Sequence, residues 1–270
     1  MNQSVVLITG ATSGIGEMCA KHLHGLGYKV YGAGRRFQDK KSTGFEAVRM
    51  DVAQDDSVNE GVRQIIEREG RIDVILNCAG YGLAGSVEDT SIEEARTLFE
   101  TNFFGIFRVC KAALPAMRQQ QAGLIINISS IGGLISLPFQ AFYSASKFAL
   151  EGMTEALRLE VRPFGIRVVL IEPGDFNTQF TANRRRAIES RRSTVYQDRF
   201  YRALSVNERG ESKGHAPIAI AYLIERIIKN PSPKLRYSVG PVFERMSPTL
   251  KRILPDQLTE WLTLKYFGLL

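Results

Sequence analysis

Apolar and polar positions run along this chain in two alternating rhythms. Residues 4–8 (SVVLI) are a short, β-branched apolar run that ends at a glycine turn, the pattern of a strand buried on both faces. Ile15, Met18, Cys19, Leu23 and Leu26 then recur at helical spacing through 14–26, and Gly27 stops that helix. Residues 28–33 form a second strand and 45–50 a third. A helix over 55–69, a strand over 73–77, and one long helix or a pair over 91–120 come next. A strand at 123–129, a long helix at 141–164 and a strand at 166–172 continue the series. Strands separated by helices predict an α/β fold: a doubly wound parallel sheet with helices on both faces.

After Pro173 the rhythm breaks. Residues 176–214 are polar, arginine-rich and poorly periodic, with some helical character and no strong strand, which reads as a substrate lid. A helix over 215–229 and a strand over 235–240 bring the sheet to about seven strands. The tail, 241–270, mixes apolar and basic residues, including Trp261, Tyr266 and Phe267. It reads as helices packed on the domain, or as a wall of an apolar substrate site or a partner surface. No repeat or linker divides the chain, so residues 1–270 are expected to form one domain.

Composition narrows the function classes. Hydrophobic residues make up 44% and charged ones 23%, the balance of a globular protein. Cys19, Cys78 and Cys110 and the three histidines do not cluster, so neither a metal site nor a disulfide framework is expected. The net charge of +7 admits anionic partners, but no nucleic-acid motif accompanies the arginines at 184–186, 191 and 192. They are expected to be solvated, with weak association to a membrane surface as the remaining allowance. No secretory signal or spanning segment is visible, and the expected location is the cytoplasm.

Candidate chemistry starts at TGATSGIG, residues 9–16, between the first strand and the first helix. Gly10, Gly14 and Gly16 allow a tight turn and close approach of a pyrophosphate. With Thr12, Ser13 and Ile15 they lead into a helix N-terminus that favours anions. Where the second strand ends, a carboxylate would select NAD through the ribose 2′-hydroxyl. Here Gly34 is followed by Arg35 and Arg36, which suit a 2′-phosphate and so NADP(H).

Tyr143 and Lys147, in YSASK, stand four apart within 141–164 and share a helix face. A phenol of pKa about 10 needs help to exchange protons at neutrality, and an ammonium about 4 Å away supplies roughly 4 kcal/mol. Ser130, at the end of the preceding strand, can share the developing negative charge; Ser129 is its rival. Asn102 lies in the apolar stretch 91–120, as a helix-surface residue or as a group that holds a water near Lys147.

These pieces together resemble the short-chain dehydrogenase/reductase family, in its shorter single-domain, Rossmann-type branch. TGATSGIG, Asp51-Val52, NCAG (77–80), Asn102, Ser130, YSASK and PGDFNT (173–178) occur in the family's order over most of the chain. The resemblance implies a catalytic tetrad of Asn102, Ser130, Tyr143 and Lys147, the family's serine-to-tyrosine spacing selecting Ser130. It implies that Asp51 and Val52 flank the adenine, and that Asn77, Ala79 and Gly80 line the cofactor. Pro173, Gly174 and Thr178 would hold the nicotinamide end. Cys78 departs from the family's usual NNAG. The activity implied is hydride transfer between NADP(H) and a carbonyl or secondary alcohol.

Phe139, Phe142, Phe176 and Phe180 fall near the expected mouth. The tail is similar to branches acting on steroids, retinoids or acyl-lipid ketones, so the substrate is expected to be bulky and lipophilic. A catalytically silent NADP(H)-binding regulator on the same fold is the alternative. The apolar helices 91–120 and 141–164, and the family, suggest a homodimer or homotetramer. Arg35→Asp is expected to weaken NADP binding far more than NAD binding in a side-by-side titration; an equal loss of both would show that this loop does not read the 2′-phosphate.

Overall fold

The computed structural model describes residues 3–35, 37, 44–192 and 194–270. Its first half runs β1 (Val5–Thr9), α1 (Gly14–Gly25), β2 (Lys29–Gly34), β3 (Glu46–Arg49), α2 (Asp55–Glu69) and β4 (Val74–Asn77). Then come β5 (Leu83–Ala84), α3 (Ile92–Phe99), α4 (Gly105–Gln120), β6 (Gly123–Ile128), α5 (Ala141–Val161) and β7 (Ile166–Pro173). The remainder is α6 (Phe180–Asn183), β8 (Arg185–Arg186), α7 (Gln197–Lys213), α8 (Ile218–Lys229), β9 (Arg236–Val239), α9 (Val242–Ile253) and α10 (Asp256–Tyr266).

Seven parallel strands pair in the order β3-β2-β1-β4-β6-β7-β9. Successive residues of each strand face opposite layers, which is why the central strands β1, β4 and β6 are buried along their whole length while the edge strands β3 and β9 carry charged residues. Val5 and Leu7 pack with Ile65 of α2, Val109 of α4 and Leu150 of α5. Val6 and Ile8 pack with Leu23 of α1 and Ile224 of α8. The chain reverses its winding direction between β1 and β4, and this is where an open parallel sheet offers a crevice at its strand ends.

The stretch expected as one long helix or two is α3 and α4 joined without a break by a π-helical turn, Glu100–Phe104, which carries Asn102. Ser91 starts α3 with a capping box to Glu94, its hydroxyl accepting from the Glu94 N–H at 3.2 Å. Segment 176–214 holds more structure than its sequence suggests. β8 pairs with β5, and α7 runs for 17 residues while burying little beyond Phe200, Ala203 and Leu204. So sparse an apolar stripe is hard to read among charged residues. The tail forms α9 and α10. Phe267 and Leu269 anchor its end against Ala203 of α7.

Arg236 of β9 gathers three carboxylates from two other elements: Glu151 at 3.0 Å and Glu155 at 2.5 Å from α5, and Glu172 at 3.1 Å from β7. Burial raises Glu151 and Glu172 above the usual carboxylate range, against the pull of the guanidinium. Arg236→Met is expected to cost roughly 3 kcal/mol in urea unfolding at neutral pH, at the low end for breaking a buried pair because the arginine is partly exposed. The loss should shrink as pH falls and both carboxyls take up protons. A loss that does not change with pH would contradict this account.

Candidate active site

The crevice is built first from the glycine turn. Gly10 has φ +67°, and a Cβ there would lie 2.9 Å from the backbone of Ala79. A Cβ on Gly16 would lie 2.5 Å from the Gly10 carbonyl oxygen. The turn is therefore as tight as its sequence suggests. The Ser13 side chain makes no capping bond, so the first N–H groups of α1 keep their donors for another acceptor. Such a cradle of backbone donors with no room for side chains fits a pyrophosphate.

Thr9 ties this turn to the next strand. Its Oγ1 accepts from the N–H groups of Cys78 and Ala79, each at 3.2 Å. A Cβ on Gly34 would meet Thr12 Cγ2 at 2.7 Å, so β2 ends against the turn and Arg35 stands exposed beside it. Arg36 lies outside the described residues. Asp51 closes the turn after β3, its carboxylate accepting from the Ala53 N–H at 3.1 Å. Val52 is buried beneath Gly105.

The expected residues do not all converge. Ile15, Gly80, Ser130, Tyr143 and Lys147 line one cavity of about 610 Å³, together with Pro173, Gly174 and Thr178. The Asn77 side chain turns into the core instead, donating to Asn127 Oδ1 at 2.9 Å. Phe176 and Phe180 line the cavity. Phe139 packs on Phe200 and Tyr196, and Phe142 packs in the cluster around Leu83 and Leu98.

Tyr143 and Lys147 lie on the buried face of α5, with Lys147 Nζ 6.0 Å from the Tyr143 ring centre. The ammonium donates to the Ile128 carbonyl at 2.9 Å, and burial lowers its pKa to about 8. Burial also raises the Tyr143 phenol to about 12, against the nearby Ser130 hydroxyl, which lowers it. Loss of hydration is the largest influence on the phenol, and the cation that pulls it down is Arg184. Ser130 lines the cavity with Tyr143; its Oγ accepts from the Gly132 N–H at 3.0 Å and donates to the Pro173 carbonyl at 3.5 Å.

Asn102 is fully buried, and its side chain clasps the backbone of one residue. Oδ1 accepts from the Tyr81 N–H at 3.0 Å and Nδ2 donates to the Tyr81 carbonyl at 2.9 Å. A Cβ on Gly80 would lie 3.2 Å from Asn102 Oδ1 and 3.8 Å from Lys147 Nζ, so both groups meet over this glycine.

Asp175, Glu211 and Glu244 also line the cavity, and Arg184 is held against one of them. Arg184, 2% exposed at its side chain, pairs with Glu211, which also accepts from the Thr181 hydroxyl. The guanidinium lies 5.7 Å from the Phe180 ring, and that ring lies 5.7 Å from the ring of Tyr143. Arg184 is thus not the solvated arginine its sequence context suggested. Glu244 Oε2 accepts from the Asp175 N–H at 2.7 Å. Burial, together with the charge of the neighbouring Glu244, holds Asp175 well above the carboxylate range. Asp175 sits inside PGDFNT and was open to notice. Glu211 and Glu244 fall in the segments without a readable pattern.

A sequence model described as short chain dehydrogenase matches residues 4–189. The chain belongs to the short-chain dehydrogenase family. It is an oxidoreductase by that membership. It is 44% identical over 264 residues to a protein named 3-ketodihydrosphingosine reductase from Bacteroides thetaiotaomicron, covering 97% of each chain. A crystal structure of a short-chain dehydrogenase from Streptomyces avermitilis superposes with a TM-score of 0.84, at 31% identity and 98% coverage of each chain. The structure of ElxO with NADP bound matches with a TM-score of 0.73 at 26% identity, over 88% of this chain and 97% of that one. The short-chain dehydrogenase sheet and its glycine turn are therefore seen here in sequence and in three dimensions.

Proposed function

We propose that this protein is an NADP(H)-dependent reductase of a long-chain lipid ketone, with Tyr143 as proton donor. The observation that carries this reading is the cavity itself. Tyr143 and Ser130 form one wall, and α9 and α10 supply an opposite wall rich in apolar side chains such as Leu250, Leu254 and Leu264. The relative named 3-ketodihydrosphingosine reductase supports the substrate class. The NADP-bound ElxO structure and the exposed Arg35 support the cofactor.

The glycine turn and the start of α1 would receive the pyrophosphate, with Arg35 at the 2′-phosphate. Lys147, which still has two N–H donors after bonding Ile128, would hold ribose hydroxyls. Pro173, Gly174 and Thr178 would border the nicotinamide. The bound cofactor supplies a hydride to the carbonyl carbon. Ser130 and Tyr143 orient and polarise the carbonyl oxygen, and Tyr143 donates the proton. A phenol held protonated by burial is the form that reduction consumes. Lys147 stabilises the phenolate left behind. Asn102 acts as a positioning residue by fixing the Gly80–Tyr81 backbone beside that ammonium.

A 3-ketodihydrosphingosine molecule joins a ketone, an amine on the adjacent carbon and a long saturated chain. Asp175, Glu211 and Glu244 all line the cavity that contains Tyr143. Asp175 and Glu244 share a site where two negative charges repel, and an ammonium would relieve that repulsion. We place the enzyme in the cytoplasm. We also propose that it pairs as a homodimer through the exposed Phe104 and Phe107 of the α3–α4 helix and Phe148 of α5.

The test is NADPH consumption with 3-ketodihydrosphingosine and with a long-chain ketone that lacks the amine. Turnover of neither would overturn the reading. Tyr143→Phe should lower kcat by about a hundred-fold or more while NADPH still binds; turnover close to that of the unmodified enzyme would remove Tyr143 from the chemistry. The charged form of Lys147 exists below its pKa, so kcat should be level at lower pH and fall as pH rises through about 8. A profile that keeps rising through that window would contradict the role given to Lys147. Asp175→Asn should raise KM for the amino ketone about ten-fold and leave the plain ketone almost unchanged. Equal effects on both would show that Asp175 does not read the amine.

A further inference from the structure

Helices α9 and α10 each have two unlike faces. At about 100° per residue, Glu244, Ser247, Lys251 and Leu254 share one side of α9, and all four line the cavity. Val242, Met246 and Ile253 fall within about 40° of one another on a different side. They are 66%, 51% and 70% exposed. Arg245 and Arg252, both exposed, flank this apolar strip. In α10, Leu258, Trp261 and Leu262 form a second exposed strip, and Lys265 Nζ lies 4.8 Å over the Trp261 ring.

Charge is sorted between the faces. The carboxylates of these two helices, Glu244, Asp256 and Glu260, all line the cavity. The outward strips are bordered by the exposed Arg245, Arg252 and Lys265, while Asp256 and Glu260 lie exposed on the cavity side. The rings of Phe243 and Tyr266 stack with centres 5.9 Å apart, joining the two helices. Phe243, Leu262 and Tyr266 line the cavity and are also exposed, so the outer apolar surface runs without a break over the rim and inward.

From this sorting we infer that the outward faces of α9 and α10 dock on an anionic phospholipid bilayer. Aromatic and aliphatic side chains enter the interface, while Arg245, Arg252 and Lys265 meet lipid phosphates. A second copy of the chain is a poorer occupant, because a twofold contact through this face would bring its cations together. No helix among the described residues is long and apolar enough to cross a membrane, so the attachment is peripheral and reversible. The docking requires nothing of the substrate assignment, and its test uses no substrate.

Trp261 is the only tryptophan in the sequence and therefore reports on this surface directly. The full chain is mixed with vesicles of phosphatidylcholine alone, or of equimolar phosphatidylcholine and phosphatidylglycerol. Co-sedimentation and a blue shift of Trp261 emission are expected with the anionic vesicles, both reduced by high salt. The triple variant Val242→Ser, Met246→Ser, Ile253→Ser changes residues that do not line the cavity. It should bind anionic vesicles at least about ten-fold more weakly and keep its thermal unfolding midpoint. Absence of binding to anionic vesicles, equal binding to neutral ones, or undiminished binding by the triple variant would each overturn the proposal. So would an oligomer that forms through this face and is dissolved by the same three substitutions.

Discussion

Lys147 must be buried, charged and one helical turn from a phenol, and much of the molecule is arranged around that requirement. An ammonium removed from water needs oxygen partners, and the end of β6 offers the Ile128 carbonyl. The backbone after β6 has to pass very close to α5, and a Cβ on Gly133 would lie 3.0 Å from Lys147 Cβ. Tyr143, in turn, shares the cavity wall with Ser130 at the same strand end and is covered by the Phe180 ring. The polar pair is confined between a sheet edge and a wall of aromatic and arginine side chains. Burial sets both titrations: it keeps the phenol protonated and leaves the lysine poised near the pH at which it gives up its proton.

The parts of the fold that sequence reveals are those with strict period and full burial. Val5 to Ile8 and Leu124 to Ile126 are apolar on both faces because helices cover both sides, and nothing else accounts for such runs. Helix α2 falls at the bounds its spacing predicts, 55–69. Tyr143 and Lys147 are legible because a spacing of four has one geometric meaning on a helix. What stays hidden depends on tertiary neighbours. Glu211 and Arg184 are polar residues in a polar stretch, and only the folding of α7 over α6 turns them into a buried pair. Asn77 shows the converse. Its motif places it beside the cofactor, but the direction of its side chain follows from the pleat of β4, which turns it towards Asn127.

The C-terminal region illustrates how one helix can serve two environments. α9 turns acidic and apolar groups towards the cavity and a basic-edged apolar strip outward, with little of it buried. A composition average over 241–270 mixes the two faces and conceals both. The tail is held to the rest of the chain mainly by Phe267 and Leu269 under α7. The substrate wall is thus tied to the segment that also carries Glu211, and the two are expected to move together.

The π-helical turn at Glu100–Phe104 has a consequence for the length of the chain at this point. One residue more than an α-helix needs is fitted between α3 and α4, so the two ends of the helix are out of phase by about 100°. A shorter version, lacking any one residue of the turn, would regain regular i→i−4 bonding and be the better helix in isolation. It would also rotate Asn102 off the Tyr81 peptide or swing α4 off the sheet. Among changes that improve local geometry, a single-codon deletion here is therefore the one this protein can least accommodate.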